Sequence, residues 1–114
     1  MTFLQKLRAT MRVIKQSPDD LVRAGLLRNG DNLSKIRTVD HFAIFKSVAQ
    51  AEYYKEFVTS RGYTIVSATE PFFVDFTKES LVVGEQFDHE IRMLENYAVQ
   101  LGGEYDGWGS PIVK

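Results

Sequence analysis

The strongest constraint on the fold is an apolar seam with helical spacing near the C-terminal end of the chain. Its members are Phe87, Ile91, Leu94, Ala98 and Leu101. Side chains that recur every three or four residues lie along one side of an α-helix, and that side must be buried against another element. Gly102 and Gly103 follow the seam, and glycine at this position is typical of a helix end.

The rest of the chain alternates between helical and strand patterns. It predicts a basic amphipathic helix at the N-terminus and a short second helix from Ser17 and Pro18 to about Arg28. A strand from Thr38 to Phe45 and a helix between Ser47 and Gly62 follow. Two strands joined at Glu70 and Pro71 come next, and a last strand lies within residues 104–108. The pair Ser47 and Gln50 has the spacing of a capping box, which marks the start of its helix.

The order of these elements predicts an α+β fold in one domain. Residues 1–30 form an N-terminal helical segment, and residues 31–114 follow the order strand, helix, strand, strand, helix, strand. This order is typical of the ferredoxin-like β-α-β-β-α-β plait, which places two helices on one face of a four-stranded antiparallel sheet. Solvent, the N-terminal helices or a partner must then cover the other face.

Composition and charge limit the cellular compartments and the binding partners that we expect for the chain. The chain contains no cysteine, which fits a reducing compartment, so we expect a cytoplasmic protein. No apolar run approaches the ~20 residues of a membrane-spanning helix. Residues 1–37 carry eight Lys and Arg against three Asp, whereas residues 38–114 carry six against twelve acids. The basic first helix fits docking on the domain better than a transit peptide or a membrane-surface helix.

Motifs for catalysis, metal binding or cofactor binding are absent from the sequence. His41 and His89 each follow an aspartate, but adjacent side chains diverge on a strand or a helix, so neither pair is preassembled. The sequence has no metal-ligand spacing, phosphate-binding loop or serine elbow. We therefore expect no enzyme, no cofactor and no metal. A hydrolase that uses His41 with Asp75 or another nearby acid in an open cleft remains the catalytic alternative.

The run E-Y-D-G-W supplies the candidate partner-binding residues. In an extended strand, Glu104, Asp106 and Trp108 would share one face and Tyr105 would lie on the other. A tryptophan beside exposed acids can anchor a protein interface, with the acids pairing with Arg or Lys of the partner. The alternative is that Trp108 folds into the core with its indole N–H bonded to backbone.

Three stretches together identify a family. They are E-Y-D-G-W-G at residues 104–109, T-V-D-H at 38–41 and R-G-Y at 61–63. With them, most of the chain resembles the regulator of ribonuclease E activity B family. The resemblance implies a ferredoxin-like α+β domain without catalytic activity that binds the large RNA-degrading endonuclease, ribonuclease E, and lowers its activity on transcripts.

Two further binding modes stay open beside a protein partner. Ferredoxin-like sheets with exposed aromatic residues can stack single-stranded RNA, so an RNA-binding domain is the alternative function. The strand F-F-V-D-F-T-K-E-S lacks the RNA-binding signature and carries Asp75, which makes nucleic acid the less favoured partner. An exposed aromatic face would also fit pairing with a second copy of the chain.

Overall fold

A computed structural model describes residues 18–68 and 70–114, which form three helices and four strands. The helices are α1 (Pro18–Arg28), α2 (Val48–Ser60) and α3 (Glu85–Gln100), and the strands are β1 (Arg37–Ile44), β2 (Thr64–Val66), β3 (Phe73–Ser80) and β4 (Glu104–Gly109). The predicted first helix lies outside the described residues. For the described residues, the element order agrees with the prediction and confirms the α+β class.

The four strands form one antiparallel sheet in the order β2-β3-β1-β4. β1 is central and pairs with β3 on one side and β4 on the other. His41 in the middle of β1 lies opposite Phe76 of β3 and Trp108 of β4. β2 and β3 are joined through Glu70 and Pro71 and pair antiparallel, as predicted.

All three helices contact the same face of the sheet. The Tyr54 ring of α2 lies 5.8 Å from the Phe76 ring, and the Phe87 ring of α3 lies 5.0 Å from Trp108. α1 reaches the same face because Asp19 accepts a hydrogen bond from Trp108. We call this covered side the inward face and the other side the outward face.

The core lies between the inward face and the helices. The predicted seam of α3 is buried at Phe87, Ile91, Leu94 and Ala98. α2 buries Ala51, Tyr54 and Val58, whereas Val48 in its first turn is 49 % exposed. No helix in the described ranges is long and apolar enough to cross a membrane.

Helix ends follow the predicted capping residues. Ser47 Oγ accepts a hydrogen bond of 3.2 Å from Gln50 N at the start of α2, while Gln50 Oε1 accepts from Lys46 N. After α3 the chain turns through Gly102, whose φ of 78° favours glycine. A Cβ on Gly103 would lie 2.2 Å from Cδ1 of Phe45, so the backbone passes the core ring too closely for any other residue.

Candidate functional site

β4, which holds the predicted partner-binding residues, contains a β-bulge. Tyr105 lies opposite Ala43, and Trp108 lies opposite His41. Tyr105 and Trp108 are three positions apart, whereas their partners on β1 are two apart. Asp106 is the extra residue, because Gly107 already pairs with Phe42. A bulge of this kind shifts the side-chain alternation by one position, so Tyr105 and Trp108 both point to the inward face.

The bulge overturns the predicted arrangement of side chains on this strand. Glu104, Asp106 and Trp108 do not share one accessible face: Glu104 is exposed, whereas Asp106 and Trp108 are 3 % and 1 % exposed. Tyr105 is buried as well, on the same face as Trp108 and not on the opposite one. The sequence signal for the bulge is Gly107, whose φ of 117° is a conformation that favours glycine.

Trp108 joins β4 to two helices. Its indole N–H donates a hydrogen bond of 2.7 Å to Oδ1 of Asp19 in α1, and its ring packs nearly perpendicular to the Phe87 ring of α3. The alternative that placed Trp108 in the core is therefore correct about its burial, but the acceptor is a carboxylate and not backbone. Burial raises the pKa of Asp19, with the Trp108 hydrogen bond and Arg23 acting in the opposite direction.

The outward face of the sheet combines acidic and apolar side chains. Its residues, assigned by strand register, are Thr38, Asp40, Phe42, Ile44, Thr64, Val66, Phe73, Asp75, Thr77, Glu79 and Glu104. Four are carboxylates and none is Lys or Arg, among strands that the structure describes in full. On β3, the alternate residues Phe73, Asp75 and Thr77 lie on this face.

Asp75 occupies the middle of the outward face. Val66 of β2 and Phe42 of β1 lie opposite it on the two neighbouring strands. Its Oδ1 atom is buried and has no hydrogen-bond partner among the described residues. Burial raises the pKa of Asp75, and the negative charge of Asp40 raises it further. The local sequence pattern of β3 does not indicate an unpaired oxygen at Asp75.

Two aromatic rings accompany this carboxylate on the outward face. The Phe42 and Phe73 rings meet edge to face with 5.4 Å between their centroids. Both side chains are only partly buried. The outward face therefore offers aromatic surface next to an unsatisfied acid.

His41 lies on the inward face and does not form a carboxylate-assisted base. Its Nδ1 atom is 2.7 Å from the Tyr105 hydroxyl, and its ring stacks on Phe76. Burial, together with the charge of Lys78, lowers the pKa of His41 to about 3, so the imidazole is neutral at physiological pH. Asp75 lies on the opposite face, and the hydrogen bond of His41 goes to the Tyr105 hydroxyl and not to a carboxylate. The described residues therefore do not form the arrangement that the hydrolase alternative required.

A cavity of about 260 Å³ opens next to His41, between β3 and α3. Glu90 on its wall accepts a hydrogen bond of 3.1 Å from the Tyr63 hydroxyl. The same carboxylate lies 3.8 Å from Nζ of Lys78 and 3.7 Å from the Arg61 guanidinium. The negative charge of Glu90 is therefore balanced by the positive charges of Lys78 and Arg61. Within the described ranges, no group of three or more His, Cys, Asp or Glu side chains could hold a metal ion.

Comparison of the sequence with protein families gives a match over most of the chain. A family model described as Regulator of ribonuclease activity B matches residues 18–110. The matched range begins with α1 and continues past the last residue of β4. A search of curated proteins found no match.

Proposed function

Because the chain belongs to the regulator of ribonuclease activity B family, we propose that it binds a ribonuclease as a protein ligand and lowers that enzyme's activity without catalysis of its own. The match over residues 18–110 carries this proposal, since it covers all seven described elements. Ribonuclease E is the candidate partner, and the cytoplasm is the proposed compartment.

The proposed fold at the finer level is the ferredoxin-like plait. The strand order β2-β3-β1-β4, the antiparallel pairing and the helices that follow β1 and β3 support it. The division into a helical segment over residues 1–30 and a domain over 31–114 stays a prediction. In such a plait, one face of the sheet is left without helices and can meet a partner.

We place the contact with the partner at Glu104, on the outward side of β4. Glu104 is exposed and lies opposite Ile44. Asp106 and Trp108 have a supporting role in this proposal. They set the position of β4, Asp106 through the bulge and Trp108 through its hydrogen bond to Asp19. An exposed acid at the rim of an interface contributes to the association rate and to partner choice.

Single-stranded RNA fits the outward face less well than a protein does. Aromatic rings are present there, but the positive charge that neutralises phosphates is missing from the outward strand positions. A phosphate backbone would meet Asp40, Asp75 and Glu79 on this surface, which is repulsive. The charge pattern thus favours a basic protein surface as the ligand.

The proposal is tested with purified ribonuclease E and a labelled transcript. The cleavage rate should fall as the concentration of this protein rises, and a complex should be detected by sedimentation. Glu104→Lys should weaken the complex several-fold, whereas Glu56→Lys, at an exposed position of α2, should leave it unchanged. No complex together with an unchanged cleavage rate would show that the proposed function is wrong.

A further inference from the structure

We propose that the outward face of the sheet binds an arginine-bearing segment of the partner protein, with a guanidinium group placed on the carboxylate of Asp75. This inference rests on the proposed function and names the surface and the chemistry that would recognise the partner. It extends the contact from Glu104 at the edge of the sheet to the middle of its outward face.

The charge of the outward face selects a cationic ligand. Asp40, Asp75, Glu79 and Glu104 all occupy outward positions, and no outward strand position carries Lys or Arg. Asp40 lies diagonal to Asp75 and Glu79 of the neighbouring strand, so their like charges repel across the sheet. A basic segment would relieve the repulsion on binding, and complementary charge also speeds encounter.

The unsatisfied oxygen of Asp75 locates the centre of the contact. Oδ1 is buried and accepts no hydrogen bond from the described residues, and Val66 and Phe42 lie opposite Asp75 on the two neighbouring strands. A buried carboxylate oxygen without a partner is costly, and rotation of the carboxylate toward a donor supplied by a ligand removes that cost. The second side of the carboxylate is available to the same ligand, because Asp75 is only partly buried.

The neighbouring rings favour arginine over lysine. A guanidinium is planar, can pair with both oxygens of a carboxylate and stacks on aromatic faces, whereas an ammonium acts as a compact and strongly hydrated charge. Phe42 is directly opposite Asp75, and its ring contacts Phe73. Val66, which is 42 % exposed, offers apolar surface to the aliphatic part of the same side chain.

The inference is tested without any ribonuclease. The full chain, labelled with ¹⁵N, is titrated with a ten-residue peptide of alternating arginine and alanine, and with its lysine and glutamate counterparts. The arginine peptide should shift the amide signals of Phe42, Phe73 and Asp75 and should bind several-fold more tightly than the lysine peptide. The glutamate peptide should not bind.

Two variants separate the Asp75 contact from overall charge. Asp75→Asn keeps the shape of the side chain and removes its charge, and it should weaken binding of the arginine peptide by about fivefold. Glu56→Gln changes the net charge equally on an exposed site of α2 and should leave the affinity within about twofold. Equal loss in both variants would overturn the assignment of Asp75.

Other occupants of the face give distinct results. Shifts of the outward residues that grow with protein concentration alone would indicate a second copy and overturn the inference. The same shifts on addition of a single-stranded oligonucleotide, in place of the peptide, would indicate RNA as the ligand and would also overturn the inference. Because these measurements contain no ribonuclease, failure here leaves the cleavage assay to decide the proposed function separately.

Discussion

The guanidinium of Arg37 and the carboxylate of Asp31 form a buried, bidentate ion pair. Their two hydrogen bonds measure 2.8 and 3.1 Å, and the side chains are 2 % and 0 % exposed. Arg37 also donates to the Asn32 carbonyl and to the Ser110 hydroxyl, while Asp31 accepts from Val113 N. The pair therefore fastens the C-terminal residues to the loop between α1 and β1.

Removal of one partner should be strongly destabilising. Asp31→Ala leaves the Arg37 guanidinium buried without its counter-charge, and such a change typically costs about 3–5 kcal/mol. The free energy of unfolding in urea measures this loss. Lys55→Ala, which breaks the exposed pair with Glu52, is the control and should cost less than about 1 kcal/mol. Similar losses in both variants would contradict the role of the Asp31 pair.

The same pair predicts a loss of stability in acid. The hydrogen bond from Arg37 holds the pKa of Asp31 below its ordinary value. A carboxyl group with a lowered folded-state pKa stabilises the protein above its unfolded-state pKa, and this stabilisation is lost as the pH falls through the folded-state value. Comparison of urea denaturation of wild type and Asp31→Asn at pH 7 and pH 3 measures it. The difference between the two proteins should shrink at pH 3.

Local patterns predicted the elements but not the contacts that fix β4. The seam of α3 and its glycine end follow from spacing alone, because helix periodicity is a property of neighbouring residues. The orientation of Trp108 does not, since it depends on one extra residue opposite β1. The alternation rule holds along β3 and places Asp75 on the outward side, but its unpaired oxygen depends on neighbours from two other strands.

Sequence patterns likewise do not predict hydrogen bonds between residues that are far apart in the chain. Asp19 and Trp108 are 89 positions apart, and no local motif indicates that a carboxylate of α1 meets the indole. The bond between Asp31 and Val113 spans 82 positions in the same way. Such contacts follow from the packing of whole elements, which only the folded structure defines.

Gly103 should not tolerate a side chain. A Cβ at this position would lie 2.2 Å from Cδ1 of Phe45 and 2.6 Å from the Ile44 carbonyl oxygen, so Gly103→Ala must displace a core ring and backbone. Overpacking of this kind typically costs about 1–3 kcal/mol, which thermal or urea unfolding would measure.

Gly25→Ala within α1 is the control, since its Cβ meets only the end of the Arg28 side chain at 3.9 Å. That change should stabilise the helix by about 0.5–1 kcal/mol. Equal stability of Gly103→Ala and wild type would contradict the close approach.

His41 should remain neutral across the physiological range and make the protein less stable in mild acid. Its folded-state pKa of about 3 lies below the unfolded value, so the unfolded chain binds the proton first as the pH falls. Stability is therefore lost as the pH drops below about 6.5, with a slope of up to about 1.4 kcal/mol per pH unit for one proton.

The imidazole C–H signals of His41 should not shift between pH 5 and 8 in an NMR titration. His41→Gln should reduce the slope of stability against pH in this window, while Lys55→Ala should leave the slope unchanged. A His41 signal that titrates near pH 6 would show that the imidazole is reached by water and protonated in the folded state.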